Sequence, residues 1–169
     1  MKKKIILFVI LFINTGIYCQ TIFDRYSNND DVTLISISPK IFKMLGKMSI
    51  NLDYPEAQDY LDMVSSITNF KVLTSSNQKI CSEILTWFKK QTNKEGFKLL
   101  INVKDLESNV TFYVKDSQVE DHVEHLLMHV TESKETILLL LEGNINLNKI
   151  SNLLDLMNLP GGNKLKKMK

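Results

Sequence analysis

Residues 136–141 read Thr-Ile-Leu-Leu-Leu-Leu, and this apolar run decides the fold. Its length suits a strand, whereas a buried helix usually needs about ten residues or more. A strand that is apolar at successive positions is typical of the centre of a sheet, with helix packed on at least one side. We therefore predict the central strand of a sheet at 136–141.

Three segments before this run also read as strands, and polar turns separate all four. The segments 97–103 and 110–114 contain β-branched and aromatic residues, which favour strands. In the segment 123–130, alternation predicts that Val123 and His125 lie on the same side of the strand. Links this short favour an antiparallel meander, because parallel neighbours need a long crossover.

The N-terminal half alternates strand and helix patterns. Residues 32–38 predict a first strand, which Pro39 ends because proline donates no ladder hydrogen bond. A helix follows from Pro39 with apolar residues at three- and four-residue spacing, and a second helix begins near Asp53 and Pro55. Residues 70–74 read as the next strand.

Two more helices complete the pattern. Ser75, Ser76 and Asn77 are candidate caps for an amphipathic helix that Gly96 ends, and a last helix spans about 147–159. The predicted order is β-α-α-β-α-β-β-β-β-α. This order predicts an α+β fold, a mostly antiparallel sheet with the helices packed on one face.

The N-terminus has the three-part pattern of a secretory signal. Lysines at positions 2 to 4 precede nine apolar residues, 5–13, and a short polar stretch leads to Cys19. A membrane-spanning helix needs about 20 apolar residues, so this segment is too short for an anchor. We expect export to the periplasm or the outer cell surface, and no transmembrane anchor in the mature chain.

Cys19 leaves two routes of processing open. Cleavage after Cys19 would make Gln20 the mature N-terminus, and this route is favoured. The alternative is cleavage before Cys19 with a lipid anchor on its sulfur, which Ile17 and Tyr18 disfavour because small residues normally precede a lipidated cysteine. If Cys19 is removed, Cys81 remains without a second cysteine for a disulfide, and we expect it to be buried in a helix.

The predicted organisation has four parts: a signal peptide at 1–19, a polar segment leading into the fold at 20–31, a single α+β domain at 32–162 and a basic tail at 163–169. A length of 169 residues with 44% hydrophobic content suits one domain. Loss of the signal leaves 18 basic and 19 acidic side chains, a net charge of −1. A nearly neutral domain is not typical of nucleic-acid binding, so we expect no nucleic-acid partner.

The sequence has three histidines, His122, His125 and His129. On a helix these three rings would share one face and could bind zinc. On a strand, His125 and His129 lie about 13 Å apart and His122 points to the opposite face. The alternation of the segment fits a strand, so we predict no metal site here, with or without Glu120 or Asp121.

Other polar groups have ordinary structural explanations. Glu56, Asp59 and Asp62 fit the solvated side of a helix better than an acid–base pair. The polar run 28–31 lacks the glycine and the terminal glutamate of a calcium loop, and the aromatic and basic segment 87–90 fits an amphipathic helix. We therefore predict no catalytic residue, no cofactor and no metal ligand.

Several stretches together resemble one bacterial family. These stretches are 42–45 (Phe-Lys-Met-Leu), 55–57 (Pro-Glu-Ala), 109–115 (Asn-Val-Thr-Phe-Tyr-Val-Lys), 122–128 (His-Val-Glu-His-Leu-Leu-Met), 141–151 (Leu-Glu-Gly-Asn-Ile-Asn-Leu-Asn-Lys-Ile-Ser), 158–162 (Asn-Leu-Pro-Gly-Gly) and 165–166 (Leu-Lys). Over nearly all of its mature length the chain is similar to an exported family of flavobacterial type, domain-of-unknown-function family 4252. The resemblance implies export and one domain. It implies no activity, because the family has no assigned reaction, ligand or site.

The favoured hypothesis is a non-catalytic module of the cell envelope. Such a module would bind another envelope protein or a small apolar ligand through its sheet. Two alternatives stay open: an envelope enzyme of hydrolase type with a cleft near Asp121 or His122, and a structural or stress-response protein of the envelope.

Overall fold

The computed structural model describes residues 21–47, 61–94 and 96–147. In these ranges the helices are α1 (Ile22–Arg25), α2 (Pro39–Gly46), α3 (residues 61–65) and α4 (Gln78–Thr92). The strands are β1 (Val32–Ile37), β2 (Ile67–Ser75), β3 (Phe97–Lys104), β4 (Ser108–Asp116), β5 (His122–Glu132) and β6 (Thr136–Asn146).

All of these strands belong to one antiparallel sheet with the order β1-β2-β6-β5-β4-β3. The four C-terminal strands form the predicted meander, and β2 joins it by pairing with β6. Strand β6 is therefore central, which confirms the position predicted for residues 136–141. The two edge strands of the sheet are β1 and β3.

Side chains on the two sides of the sheet form two separate clusters. One side, here called the apolar face, packs against Phe42 of α2 and Met63 of α3. The other side, here called the mixed face, packs against Phe23 of α1 and Phe88 of α4. The helices therefore cover both sides, whereas the sequence analysis placed them on one. The physical reason is that the central strands send apolar side chains both ways, so both sides need a cover.

The fold begins earlier than predicted, at helix α1. Thr21 and Asp24 cap this helix reciprocally, since each side chain accepts a hydrogen bond from the other's backbone N–H. Ile22 and Phe23 are fully buried in the mixed face, and Lys71 Nζ of β2 lies 3.2 Å from Asp24 Oδ1. The predicted polar segment thus contains a helix whose apolar side completes the core.

Asn77, one of the three predicted caps, is the N-cap of helix α4. Its side-chain oxygen accepts hydrogen bonds from the backbone N–H groups of Lys79 and Ile80. Ser75 serves another purpose, because its hydroxyl donates to the carbonyl oxygen of Asp31 at 2.8 Å. This bond joins the end of β2 to the turn before β1.

The regular pairing of the sheet is interrupted near the start of β2 and β5 and near the end of β4. Register shifts occur between residues 67 and 69 of β2, 115 and 116 of β4, and 123 and 125 of β5. Gly143 of β6 pairs with Ile67, next to the register shift in β2, and its φ is +151°. A Cβ atom added at Gly143 would lie 2.4 Å from the carbonyl oxygen of Ser66. Glycine is required because the two backbones approach this closely.

The α+β class, the antiparallel sheet and the order of elements are confirmed. Among the described residues no helix has the length and apolar character needed to cross a membrane. Some predictions fall outside the described residues: the signal peptide at 1–19 with Cys19, the second helix at Asp53 and Pro55, the last helix after Leu147, and the tail at 163–169.

Candidate functional site

A row of polar side chains crosses the sheet where the register shifts. Asn69 of β2 pairs with Glu142 of β6, which pairs with His125 of β5. His125 in turn pairs with Lys115 of β4, and Lys115 pairs with Phe97 of β3. These five residues, four polar ones and Phe97, are here called the polar row, and they stand at directly opposite positions on five neighbouring strands. Phe97 and His125 place the row on the mixed face.

Glu142 is the centre of the polar row. Asn69 Nδ2 donates a hydrogen bond to Glu142 Oε2 at 3.0 Å, and His125 Nε2 lies 3.5 Å from Glu142 Oε1. The His125 ring meets the Phe97 ring edge to face, with 6.1 Å between centroids. One carboxylate therefore links side chains from three adjacent strands.

The polar row marks a reversal in side-chain direction. Val123 belongs to the apolar-face cluster together with Leu126, whereas His125 lies on the mixed face. The sequence analysis placed Val123 and His125 on the same side, and this was wrong because a bulge separates them. Strand β2 shows the same reversal. Ile67 and Phe70 are three positions apart, so strict alternation would put them on opposite sides of the sheet, yet both belong to the apolar-face cluster because the register shift lies between them.

All three histidines lie on β5, which begins at His122, one residue before the predicted strand 123–130. The register shift falls between His122 and His125, so strict alternation no longer relates these two rings. His122 Nδ1 donates a hydrogen bond to the carbonyl oxygen of Glu120 at 2.8 Å. Within the described ranges, no three His, Cys, Asp or Glu side chains gather into a group that could hold a metal ion.

His129 is buried in the mixed face, with 3% of its surface exposed. Its ring stacks on Phe88 of α4 with 5.0 Å between centroids, and Nε2 has no hydrogen-bond partner among the described residues. Burial, reinforced by the positive charge of Lys89, lowers the pKa of His129 from 6.5 to about 4. The ring is therefore neutral at neutral pH.

The geometry of the polar row favours structural linkage over acid–base catalysis. A catalytic base needs an atom within hydrogen-bond reach of a substrate. His125 directs Nε2 toward Glu142, while its Nδ1 is buried without a partner in the described part of the chain. Lys115 Nζ lies 3.8 Å from Glu124 Oε2, which partly offsets its charge.

The aromatic and sulfur candidates on α4 have structural partners. Trp87 packs against the mixed face and meets Phe23 edge to face at 5.9 Å between centroids. Cys81 is half-buried rather than fully buried, and its thiol donates to the carbonyl oxygen of Ser75 at 3.3 Å. These contacts fix α4 to α1 and to the end of β2.

The polar run 28–31 forms the turn that leads into β1. The backbone N–H of Asp31 donates to Asn29 Oδ1, and Asp31 Oδ2 accepts from Asn77 Nδ2 at 2.8 Å. Of the three carboxylates predicted on one helix flank, Asp62 lies in α3, and the other two lie outside the described residues.

The loop before β5 borders a depression of about 410 Å³. The depression is lined by residues 116–122 and Leu147, so it lies in the region near Asp121 and His122 that the enzyme hypothesis named. Asp116 in its wall forms an ion pair with Lys98. The walls are mostly acidic or polar, and Val119 and Leu147 are their apolar residues.

The two edges of the sheet differ in their protection against other strands. Strand β1 reads Val-Thr-Leu-Ile-Ser-Ile without a charge, and its register with β2 is unbroken. Ile35 at its middle is 48% exposed. Strand β3 instead carries Lys98 and Lys104 and has a register shift between residues 99 and 101. Lysines and bulges are devices by which edges avoid pairing, and β1 has neither.

Helix α2 adds exposed apolar side chains near the β1 edge. Phe42 fixes this helix on β2, because its ring meets Phe70 edge to face at 6.4 Å between centroids. Ile41, Met44 and Leu45, here called the α2 patch, are exposed. Because α2 begins two residues after β1 ends, this exposed apolar surface follows directly after the edge strand in the chain.

The sequence analysis missed Glu142 and Asn69. It ended the last strand at residue 141, where the apolar run stops and Glu142 and Gly143 follow. The apolar residue Ile145 was a signal that the strand continues, and it is buried in the apolar face.

Residues 26–153 match a protein family described as a domain of unknown function, DUF4252. The searches of curated proteins and of solved structures found no match. The matched range includes every strand of the sheet and the whole polar row. The chain therefore belongs to the DUF4252 family.

Proposed function

We propose that the protein is an exported, non-catalytic interaction module of the cell envelope, and that it binds another protein through the β1 edge. The observation that carries this proposal is β1 itself, an uncharged strand whose outer side pairs with no strand in the described ranges. Such an edge is a template for strand addition, in which a partner strand supplies main-chain hydrogen bonds.

Two features support a protein partner over a small apolar ligand. Both sides of the sheet have a buried apolar cluster that includes helix side chains, so most of the apolar sheet surface is covered within the described residues. The depression beside Leu147 is lined mostly by polar and acidic side chains. The β1 edge and the α2 patch instead offer exposed apolar side chains for contact with a protein.

Export is supported by the N-terminal sequence. Three lysines precede nine apolar residues, and this stretch is too short to remain as an anchor. Fractionation of cells followed by an intact mass of the envelope form tests this step. A chain starting at Gln20 is expected; a mass with added diacylglyceryl and acyl groups would place a lipid anchor on Cys19, and an uncleaved cytoplasmic chain would contradict export.

Cross-linking in intact cells tests the interaction. A photo-reactive amino acid placed at Thr33 of β1 is expected to give a cross-linked product, because Thr33 is exposed on the unprotected edge. The matched control is the same amino acid at Asn102, which is exposed on β3. Equal cross-linking at the two positions, or none at Thr33, would contradict the proposal.

A further inference from the structure

We infer that the partner at the β1 edge is a second copy of the same chain. Two copies of β1 pair antiparallel about a two-fold axis and so join two sheets into one continuous sheet. This inference rests on the proposed function, because it names the partner of the same edge. It is carried by the charge pattern around β1, by the position of α2 and by the contrast with β3.

The ends of β1 carry opposite charges. Asp30 and Asp31 precede the strand, and Lys40 follows it at the start of α2. An antiparallel pair of identical strands places the start of one beside the end of the other. Each Asp30 therefore comes near Lys40 of the other copy, twice per dimer, while the uncharged strand between them adds no repulsion.

A two-fold axis suits this pairing because the contact is isologous. In a continuous sheet the axis is perpendicular to the sheet, so the apolar faces of both copies lie on the same side. Helix α2 packs on that side against β2, the strand next to the edge. The inference therefore places the two α2 patches on the same side of the joined sheet, where they can add apolar contact to the strand pair.

The length of β1 bounds the strength of the contact. A strand of this length extends about 20 Å, and an interface of standard size buries about 1,600 Å² in total. One strand pair supplies only part of that area, and the α2 patches supply more. We expect a dimer with a dissociation constant in the micromolar range.

The β3 edge does not support the same contact. Like charges meet when a lysine-bearing edge pairs with its own copy, and the shift between residues 99 and 101 interrupts the row of main-chain groups. The inference is therefore specific to one side of the sheet.

Sedimentation equilibrium of the mature protein purified from cells tests the inference. The wild-type chain is expected to dimerise reversibly as its concentration rises to about 100 µM. Ile35→Lys is expected to weaken dimerisation at least tenfold, because it places a charge in the middle of the edge. The control Leu99→Lys, on the other edge, is expected to dimerise like the wild type. The circular dichroism of both variants should match the wild type.

A charge swap keeps the test decisive if Ile35→Lys disturbs folding. Asp30→Lys is expected to weaken the dimer, because the new lysine faces Lys40 of the other copy. Adding Lys40→Asp is expected to restore the dimer. Rescue of this kind follows from pairing between copies.

The outcomes separate the two proposals. A wild-type chain that stays monomeric, yet cross-links to a different protein through Thr33, overturns the dimer and leaves the proposed function standing. A monomer without cross-links overturns both. A dimer that Leu99→Lys disrupts and Ile35→Lys does not would also overturn the assignment of the edge.

Discussion

The apolar face and the mixed face are built from the same strands but differ in chemistry. Every buried member of the first cluster is apolar. The second side combines apolar contacts with buried His129, with the Lys71–Asp24 ion pair and with the polar row. The comparison teaches that the packing on one side is independent of pH, whereas the other side contains a group that acid can charge.

A large-to-small substitution on the apolar face has the largest expected effect. Phe112 of β4 is 1% exposed, and Phe112→Ala removes a full aromatic ring from the cluster. The free energy of unfolding should fall by about 3–5 kcal/mol. The loss should be the same at neutral pH and at pH 5, because no titratable group lies in that cluster.

Urea unfolding followed by the fluorescence of Trp87 measures this loss. Leu106→Ala is the matched control, because Leu106 is fully exposed in a turn and its truncation should change little. A loss below about 1 kcal/mol for Phe112→Ala would contradict the assignment of this face as the main core.

On the mixed face the expected effect depends on pH. The pKa of His129 falls from 6.5 when unfolded to about 4 when folded, so the unfolded chain binds more protons between these values. Stability is therefore complete above about pH 6.5 and declines as the pH falls toward 4. The decline from this residue amounts to about 3 kcal/mol, because one pKa unit corresponds to about 1.4 kcal/mol.

Replacing the ring isolates that contribution. His129→Leu removes the buried nitrogen that has no partner among the described residues, so the variant should lose less stability than the wild type between neutral pH and pH 4. Urea unfolding across this range measures the difference. Parallel curves for the two proteins would show that His129 is not the acid-sensitive group.

The elements of this fold were readable from sequence because strong local patterns agree with the tertiary structure. The run at 137–141 is apolar at every position, and it became the central strand. Asn77 and its neighbours signalled the start of α4. Local signals of this kind do not depend on what the segment packs against.

Other features depend on contacts that are distant in sequence. The bulge between Val123 and His125 reverses alternation, and nothing in the segment itself announces it. The polar row exists because five strands align in register, so Asn69 meets Glu142 across 73 positions of the chain. Helix α1 was overlooked because its two buried residues are surrounded by polar ones.

A substitution at Gly143, where β6 pairs with β2 beside the register shift, tests how much this close backbone contact contributes to stability. Gly143→Ala would place a Cβ 2.4 Å from the carbonyl oxygen of Ser66, at a φ that favours glycine. We expect a loss of about 2–3 kcal/mol in the free energy of unfolding, from backbone strain and overpacking.

Gly96 before β3 provides the matched comparison for this joint. Its φ is +91°, but the nearest atom to an added Cβ is Cε of the flexible Lys115 side chain at 3.2 Å. Gly96→Ala should therefore cost only about 1 kcal/mol. Thermal unfolding of Gly143→Ala and Gly96→Ala measures the two losses of stability. Equal losses would mean that the close contact of Gly143 with Ser66 contributes nothing.

The smallest expected effect lies at the rim of the mixed face. The Tyr26 hydroxyl donates a hydrogen bond to Glu83 Oε2, and this bond is the main reason that the pKa of Glu83 lies below its ordinary value.

Tyr26→Phe should raise the pKa of Glu83 toward 4.5, and Arg25→Ala should raise it less, because the ion pair with Arg25 is a weaker cause. A lowered carboxyl pKa stabilises the fold above the unfolded pKa and loses that contribution in acid, so Tyr26→Phe should flatten the acid limb slightly. Titration of ¹³C-labelled glutamate carboxyls by NMR measures the shift. If Arg25→Ala moved the pKa of Glu83 more than Tyr26→Phe did, charge rather than hydrogen bonding would dominate this rim.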